Sequence, residues 1–426
     1  MVRKSVSSDA GAYQKTILAD GLRVVTERIP SVRSISLGAW VDVGSRNETA
    51  RESGVTHLIE HTVFKGTRHR SAREIASSLE SIGGSLNAFT SKEQTCYTAR
   101  ILDEHLDIAA DVLSDLTCHA RLTPTDIGRE KLVVFEEIKE VEGTPSEHVH
   151  DLFAAAFWGD HPLGRPIMGD IDTLSKVGRA TITDYIAKNY RAGSIVVAAA
   201  GSVSHRKLVK LVRDKFKFPP GRAAVAVPAQ RSEPTSVGLQ RSSNKQVHLC
   251  LGYPGIEYGS RDRIAASALQ TYLGGGMSSV LFQKIREEKG LAYTVYMFNE
   301  MLRDAGVLGA YVATDKDNLK ACLEIALKEL DRVRRRRLPT TRLDKVKAQM
   351  KGQVTLGLES TSSRMSRLAR IELVLGTYIP IRKTLQSIDK VTSSDILRLA
   401  NEHFDNSQIA LAALGAADRS TIDDVL

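Results

Sequence analysis

The chain has 426 residues, which exceeds the size of a single compact core and predicts two domains or more. Hydrophobic residues make up 42% of it and charged residues 26%, as in a globular protein, and its apolar stretches are only strand-sized, so we expect no membrane span. The net charge is +9, but no nucleic-acid-binding motif or aromatic interleaving accompanies the basic residues, so we expect no nucleic-acid partner.

The N-terminal segment and the cysteines indicate the compartment. Residues 1–9 are basic but have no apolar centre, so they do not read as a secretory signal, and they are short for a mitochondrial presequence. The four cysteines stand at unpaired spacings, which fits a reducing compartment and argues against a thiolate zinc site. We therefore expect a bacterial cytoplasmic protein in preference to one of the mitochondrial matrix.

Residues 57–61 read His-Leu-Ile-Glu-His, the inverted form of the common zinc-helix pattern. On a helix, His57 and His61 lie about 40° apart around the axis, so both rings can reach one metal ion. Glu60 lies about 60° to the other side of His57, close enough to touch a water on that ion. The intervening apolar residues predict that this face lies in a cleft rather than on an ordinary surface helix. The motif predicts a zinc metallopeptidase.

The other histidines offer no comparable pattern. Four of them are isolated in the sequence, and we expect each to be a surface or capping residue: His69, His105, His119 and His161.

Residues 83–90 predict a strand that follows a glycine turn and lies at a sheet edge. An extended peptide can add to such an edge through main-chain hydrogen bonds, with side-chain pockets giving modest preference. Asn87, Ala88, Phe89 and Thr90 are therefore the predicted substrate-binding residues, and unfolded peptides or a flexible leader suit this mode better than a folded protein.

Catalytic zinc usually takes three protein ligands, so the two histidines need a third. A predicted helix opens at Thr123 and runs to about Glu142. On it, Glu130 and Glu137 are seven residues apart and share a face. Periodicity does not separate Glu137 from Glu136, and either carboxylate could simply be solvated, so both remain candidates at this point.

An internal repeat divides the chain. Residues 177–201 and 391–415 align without a gap at an offset of 214, each reading as a helix followed by a buried strand. We predict two similarly folded α+β domains, each an α/β sandwich with a mixed sheet covered by helices. A metal-binding domain would span 1–217, a proline- and serine-rich linker 218–244, and a repeated domain without metal 245–426.

The second half lacks the metal residues. It has no histidine between His248 and His403, and no acid over 350–358, where the counterpart of Glu137 falls. Because the core pattern is present in both copies but the metal residues in only one, we infer that those residues serve chemistry rather than packing.

Several motifs together resemble the pitrilysin and insulysin family of inverted-motif (HxxEH) zinc peptidases. The HxxEH motif is followed 76 residues after His61 by Glu137, in the setting of residues 129–138. The resemblance is nearest to the branch that includes the mitochondrial processing peptidase β-subunit and its bacterial relatives. It extends over nearly the whole chain and includes residues 44–48, 64–67, 87–90, 273–277 and 286–293.

The resemblance implies the roles of individual residues. Glu137 would be the third ligand of one zinc ion per chain, and Glu130 an acid that orients a ligating histidine. Glu60 would act on the zinc-bound water as general base and then general acid. Arg286 and Tyr293 would reach the substrate from outside the metal domain; otherwise they would be a solvated helix residue and a packed strand aromatic.

The resemblance also implies a dimer. The family encloses its peptide substrate between two clamshell halves, and a chain of this length is one half. We expect a homodimer, or a heterodimer with a homologous subunit, in which Arg286 and Tyr293 come from the partner. The expected activity is that of a zinc endopeptidase. The alternatives are a non-catalytic peptide-binding or assembly subunit, and a maturase dedicated to one leader peptide.

Overall fold

A computed structural model of the chain describes residues 3–8, 12–231, 236–241 and 246–425. Within these ranges, none of the helices combines the length and the apolar character that crossing a bilayer requires. Residues 1, 2 and 9 of the N-terminal segment, and residues 232–235 and 242–244 of the predicted linker, lie outside them.

The strands form two mixed sheets. They are β1 (Arg3–Ser8), β2 (Tyr13–Ile17), β3 (Arg23–Arg28), β4 (Ser34–Val41), β5 (Ser85–Thr90), β6 (Thr95–Leu102), β7 (Ile195–Gly201), β8 (Ser236–Gln240), β9 (Gln246–Pro254), β10 (Ala292–Met301), β11 (Gly306–Asp315) and β12 (Ala410–Leu414). The first sheet has the order β1-β2-β3-β7-β4-β6-β5, and the second has the order β10-β11-β9-β12-β8. Each contains a parallel pair, β3 with β7 and β12 with β8, among antiparallel neighbours.

Helices cover both sheets, as predicted for a two-domain α+β protein. They are α1 (Val55–Val63), α2 (Ala72–Glu80), α3 (Leu106–His119), α4 (Pro124–Gly143), α5 (Pro145–Trp158), α6 (Ile171–Lys176), α7 (Arg179–Asn189), α8 (His205–Lys215), α9 (Arg263–Gly274), α10 (Leu319–Arg335), α11 (Thr340–Gly357), α12 (Thr361–Leu375), α13 (Ile381–Lys390), α14 (Ser393–His403) and α15 (Arg419–Asp423).

The chain divides into two compact units. Unit 1 comprises Met1–Ile138, Pro166–Val227 and Leu356–Pro380, and unit 2 comprises Lys139–Arg165, Pro228–Thr355 and Ile381–Leu426. Each unit combines separate stretches of the sequence, whereas the domains predicted at 1–217 and 245–426 are contiguous. Helix α5, from the first half of the sequence, packs on β8, β9 and β12 of unit 2, whereas α12, from the second half, packs on β3, β4 and β7 of unit 1.

Complete burial of one interior strand in each sheet explains why α5 and α12 pack on the sheet formed by the other half of the sequence. Every residue of β7 and of β12 is buried, so both faces of each sheet need a cover. Large apolar side chains of α5 share a buried cluster with the sheet of unit 2, and those of α12 share one with the sheet of unit 1. These side chains are Val149, Phe153 and Phe157 of α5, and Met365 and Leu368 of α12.

The predicted linker 218–244 also contains a strand. Residues Ser236–Gln240 form β8, which pairs in parallel with β12 from the Ser236–Ala410 partners onward. Because β8 is short and lies at the sheet edge, its side chains are only partly buried. Val237 and Leu239 alternate with small or polar residues over only five positions, and the prolines and serines nearby outweigh so short a pattern in the sequence.

The repeat has the predicted order of helix and buried strand in both copies, α7 with β7 and α14 with β12. Both copies end in a glycine for the same physical reason. Gly201 has φ +129° and Gly415 has φ +127°, a backbone conformation that side chains rarely allow. A Cβ there would stand 2.1 Å from the carbonyl oxygen of Ser34 or 2.4 Å from that of Gln246.

Candidate metal centre

Helix α1 is anchored by its apolar side. Val55, Leu58 and Ile59 are fully buried in the core of unit 1, whereas His57 and His61 are only partly buried. The 3.6-residue period therefore leaves the imidazoles and the intervening carboxylate facing away from that core, as the motif predicts.

The N-terminus of α1 is fixed by a residue that the motif alone does not reveal. Both carboxylate oxygens of buried Glu48 accept backbone hydrogen bonds at 2.8 Å, from the N–H groups of Gly54 and Thr56. A carboxylate at this end of a helix satisfies free N–H donors and complements the helix dipole. Glu48 belongs to the resembling segment 44–48, which was the available signal, although no role could be attached to it.

Helix α4 brings a third donor group to α1. One atom each of His57, His61 and Glu137 lies within 4.8 Å of the others. The Nε2 atom of His61 is 3.4 Å from Oε2 of Glu137, and the two imidazole centroids are 4.7 Å apart. Glu136 is not a member of this group, so the structure separates the two carboxylates that periodicity left equivalent.

Glu130 approaches the same imidazole from its other nitrogen. Its Oε2 atom lies 3.5 Å from Nδ1 of His61, and its Oε1 atom lies 3.0 Å from Nζ of Lys65. The Glu130 side chain is almost fully buried, so the surrounding packing restricts its movement. A carboxylate on the far nitrogen of a ligating histidine is the usual arrangement for fixing its tautomer and ring orientation.

The residues present fit a zinc ion. Nδ1 of His57 is buried and has no hydrogen-bond partner in the described part of the chain, which is costly for a polar atom. Burial, together with the neighbouring His61, lowers the pKa of His57 to about 4, so its imidazole is neutral near pH 7 and able to donate a lone pair. Two imidazoles and one carboxylate form a donor set found in catalytic zinc sites.

Glu60 lies beside this group with its own hydrogen-bond partner. The hydroxyl of Thr90 donates to Oε2 of Glu60 at 2.6 Å. Burial raises the pKa of the Glu60 carboxyl; the Thr90 hydrogen bond opposes that change. The sequence placed Thr90 only among the substrate-binding residues, and its contact with Glu60 spans 30 positions that no local pattern connects.

Strand β5 lies at the edge of the first sheet, as predicted. It pairs with β6 on one side and has no strand partner on the other within the described residues. Asn87 and Phe89 are exposed, whereas Ala88 and Thr90 are partly buried, so the strand alternates as an edge strand should. The ring of Phe89 packs edge-to-face on Trp40 at 5.4 Å.

Arg286 and Tyr293 come together in unit 2. The guanidinium carbon of Arg286 lies 4.9 Å from the centroid of the Tyr293 ring and 4.7 Å from that of Phe282. Tyr293 is 75% exposed, which contradicts its alternative reading as a packed strand aromatic. Arg286 belongs to a wide helical turn over Phe282–Glu287 with π-type hydrogen bonding, which is frequent at functional sites. The contact between Arg286 and Tyr293 therefore uses residues of unit 2 alone, whereas the candidate metal ligands belong to unit 1.

Comparison with known protein families gives two matches along the chain. Residues 23–171 match the family described as Insulinase (Peptidase family M16), and residues 176–350 match the one described as Peptidase M16 inactive domain. The first match contains the histidines of α1 and the carboxylates of α4, and the second contains Arg286 and Tyr293.

Curated relatives are similar over most of their length. An uncharacterized zinc protease of Streptomyces coelicolor is 40% identical, covering 92% of this chain and 87% of its own. The uncharacterized zinc protease YmxG of Bacillus subtilis is 38% identical, covering 90% and 94%. The mitochondrial-processing peptidase subunit beta of Saccharomyces cerevisiae is 30% identical, covering 99% and 94%.

Solved structures share the fold. A protease from Helicobacter pylori superposes with a TM-score of 0.89 at 23% identity, covering 94% of this chain and 99% of its own. A peptidase M16 inactive domain from Pseudomonas fluorescens superposes with a TM-score of 0.87 at 18% identity, covering 95% and 98%. The expected architecture of two helix-covered sheets is thus found in both.

Proposed function

This chain belongs to the insulinase family of peptidases, family M16, and from that membership we propose that it is a zinc-dependent endopeptidase that cleaves unfolded peptides or flexible leader segments. One observation carries the proposal. Donor atoms of His57, His61 and Glu137 converge from two helices, and the carboxylate of Glu60 lies on the same helix face as the two histidines.

His57, His61 and Glu137 would hold one zinc ion, with Glu130 fixing the orientation of the His61 ring. When bound, zinc supplies Lewis-acid chemistry that polarises a carbonyl and makes water a nucleophile at neutral pH. Glu60 takes the proton from the attacking water and delivers it to the departing amine. Thr90 holds Oε2 of Glu60 by its hydrogen bond and so limits the directions in which this carboxylate can move.

The edge of β5 supports a path for the substrate. A peptide that adds to this edge receives main-chain hydrogen bonds along Ser85–Thr90. Because Thr90 ends the strand and contacts Glu60, a peptide bound along β5 passes the general base. Main-chain binding needs an extended segment, which accounts for a preference for unfolded peptides over folded proteins.

Arg286 and Tyr293 complete the proposed site from a second subunit. A guanidinium and a phenol can donate hydrogen bonds to the oxygen that gains negative charge when the scissile carbonyl is attacked. The exposure of Tyr293 supports this role, because its ring is available to another chain. The assembly is a homodimer, with a heterodimer of homologous subunits as the alternative.

A maturase for one leader peptide is the second candidate activity. It is favoured by the similarity to the mitochondrial-processing peptidase subunit beta, whose name states a processing role for that protein. A peptide library separates the two candidates, because a maturase leaves nearly all library members intact, whereas a broad peptidase cuts many of them.

The test uses the purified chain with a quenched peptide mixture, with and without a chelator, and the cuts are mapped by mass spectrometry. We expect cleavage that the chelator abolishes and added zinc restores. The Glu60→Gln variant should keep its zinc and lose hydrolysis. Cleavage that survives chelation, or full activity in Glu60→Gln, would contradict the proposal. The zinc-loaded wild type is also tested on leader peptides that related peptidases cleave. If it cleaves neither these peptides nor the library, the result would favour a non-catalytic peptide-binding or assembly subunit.

A further inference from the structure

A second group of possible metal ligands lies in unit 1. One atom each of His69, Asp115 and His119 lies within 4.8 Å of the others. Asp115 and His119 are one turn apart on α3, and His69 comes from the segment between α1 and α2. The sequence suggested that both histidines are ordinary surface or capping residues, because 50 positions separate them and no motif connects them.

The two oxygens of Asp115 have different partners. Its Oδ2 atom accepts from the hydroxyl of Thr67 at 2.6 Å and from Nη1 of Arg70 at 2.7 Å. Its Oδ1 atom lies 2.7 Å from Nδ1 of His69 and 3.6 Å from Nδ1 of His119. One oxygen therefore holds the segment after α1 in place, and the other faces the two imidazoles.

We propose that His69, Asp115 and His119 form a second binding site for a divalent metal ion such as zinc. Two imidazoles and a carboxylate oxygen are ligands that zinc prefers. With bonds of about 2.1 Å in tetrahedral geometry, donor atoms stand roughly 3.4 Å apart. His119 already meets that spacing from Asp115, and His69 reaches it when the ion takes the place of the hydrogen-bonding proton.

The surroundings of this second site give an ion access. A cavity of about 620 Å³ is lined by both histidines and by Asp115. The side chain of His69 is 62% exposed and that of Asp115 is 4% exposed. The site is therefore open to solvent at His69 and buried at Asp115. Water in the cavity can complete the coordination without any opening of the core.

Neighbouring charges make this second site the weaker of the two. Arg70 shares the carboxylate of Asp115, and its cation opposes a second positive charge nearby. Asp111 offsets part of this, because it pairs with both Arg70 and Lys215. We therefore expect the site to fill in excess zinc and to empty first when a chelator is added.

The experiment counts zinc bound per full-length chain as free zinc is raised. The wild type should go from one ion to two, and a His69→Gln/His119→Gln double variant should stop at one. His105→Gln is the matched control, because this histidine also lies in unit 1 but outside the group, and it should still reach two. Peptidase activity at low zinc should be the same in all three proteins.

The melting temperature gives an independent reading, because an ion that binds the folded state raises it. Excess zinc should raise the melting temperature of the wild type further than that of the double variant. The single variant His119→Gln, which leaves the His69–Asp115 hydrogen bond in place, should give the same count of one. A wild type that saturates at one ion, or a double variant that still binds two, would overturn the proposal.

Discussion

Burial raises the pKa of the Glu60 carboxyl, and the hydrogen bond from Thr90 lowers it. A general base acts in its ionised form, so activity is present above this pKa and is lost as the pH falls through it. In Thr90→Val the opposing hydrogen bond is gone, so the pKa rises and activity disappears at a higher pH than in the wild type. The measurement is kcat/KM against pH.

A matched control separates this effect from a general disturbance of β5. Ser85 lies at the exposed start of the same strand, so Ser85→Ala should leave the acid limb of the profile unchanged. An acid limb in Thr90→Val that coincides with that of the wild type would contradict the assigned role of the hydroxyl.

Glu130 is expected to act on zinc through His61. In Glu130→Gln the negative partner of Nδ1 is lost, and zinc affinity should fall about 10–100-fold, as for other residues that orient a metal-bound histidine. A competitive chelator titration measures this affinity. Glu136→Gln, one residue from Glu137 on α4, should bind zinc as tightly as the wild type. Equal affinities in all three proteins would remove Glu130 from the site.

At the scale of elements, the start of α1 depends on a glycine. Gly54 has φ +87°, and a Cβ there would stand 2.3 Å from the carbonyl oxygen of Met168. Gly54→Ala should therefore lower the free energy of unfolding by more than the roughly 1–2 kcal/mol of left-handed strain alone. Gly83→Ala isolates that strain, because Gly83 has φ +71° with nothing near its Cβ position.

Denaturant unfolding of both variants compares the two costs, and zinc content reports on α1 itself. Gly54→Ala should lose more stability than Gly83→Ala and should bind less zinc, because α1 presents both histidines. Equal losses in the two variants would show that the contact with Met168 does not limit the position of the helix.

Local patterns predicted most single elements, because a helix or strand that packs on a core shows its period in the sequence. The zinc motif, the β5 edge strand and the helix–strand repeat are of this kind. The tertiary placement of α5 and α12 was not predicted, because each packs on a sheet formed mainly by the other half of the sequence. The Glu60–Thr90 contact and the proximity of His69 to His119 were not predicted either, because each joins residues from elements that are far apart in the sequence.

At the scale of the whole molecule, the proposed dimer has a consequence for mixed subunits. Glu60→Gln lacks the base but retains Arg286, whereas Arg286→Ala retains the base and the metal ligands. Each variant alone should have little activity. If Arg286 acts on the metal site of its partner, mixing the two variants restores activity, since one site in each mixed dimer combines an intact Glu60 with an intact Arg286.

The control for this experiment is the activity of each variant at the same total concentration without mixing. Failure of subunit exchange to restore activity, in dimers shown to be mixed, would place Arg286 in its own chain's site or outside the mechanism. Wild-type activity in Arg286→Ala alone would remove it from catalysis altogether.

The proposed peptidase activity depends on one zinc ion held by His57, His61 and Glu137. The most direct measurement is an anomalous difference map at the zinc absorption edge, from crystals of the full chain grown with zinc. We predict a peak within about 2.0–2.2 Å of a donor atom of all three residues, present also in Glu60→Gln. A map with no peak there, or a crystal structure in which the three side chains point apart, would contradict the proposed zinc site.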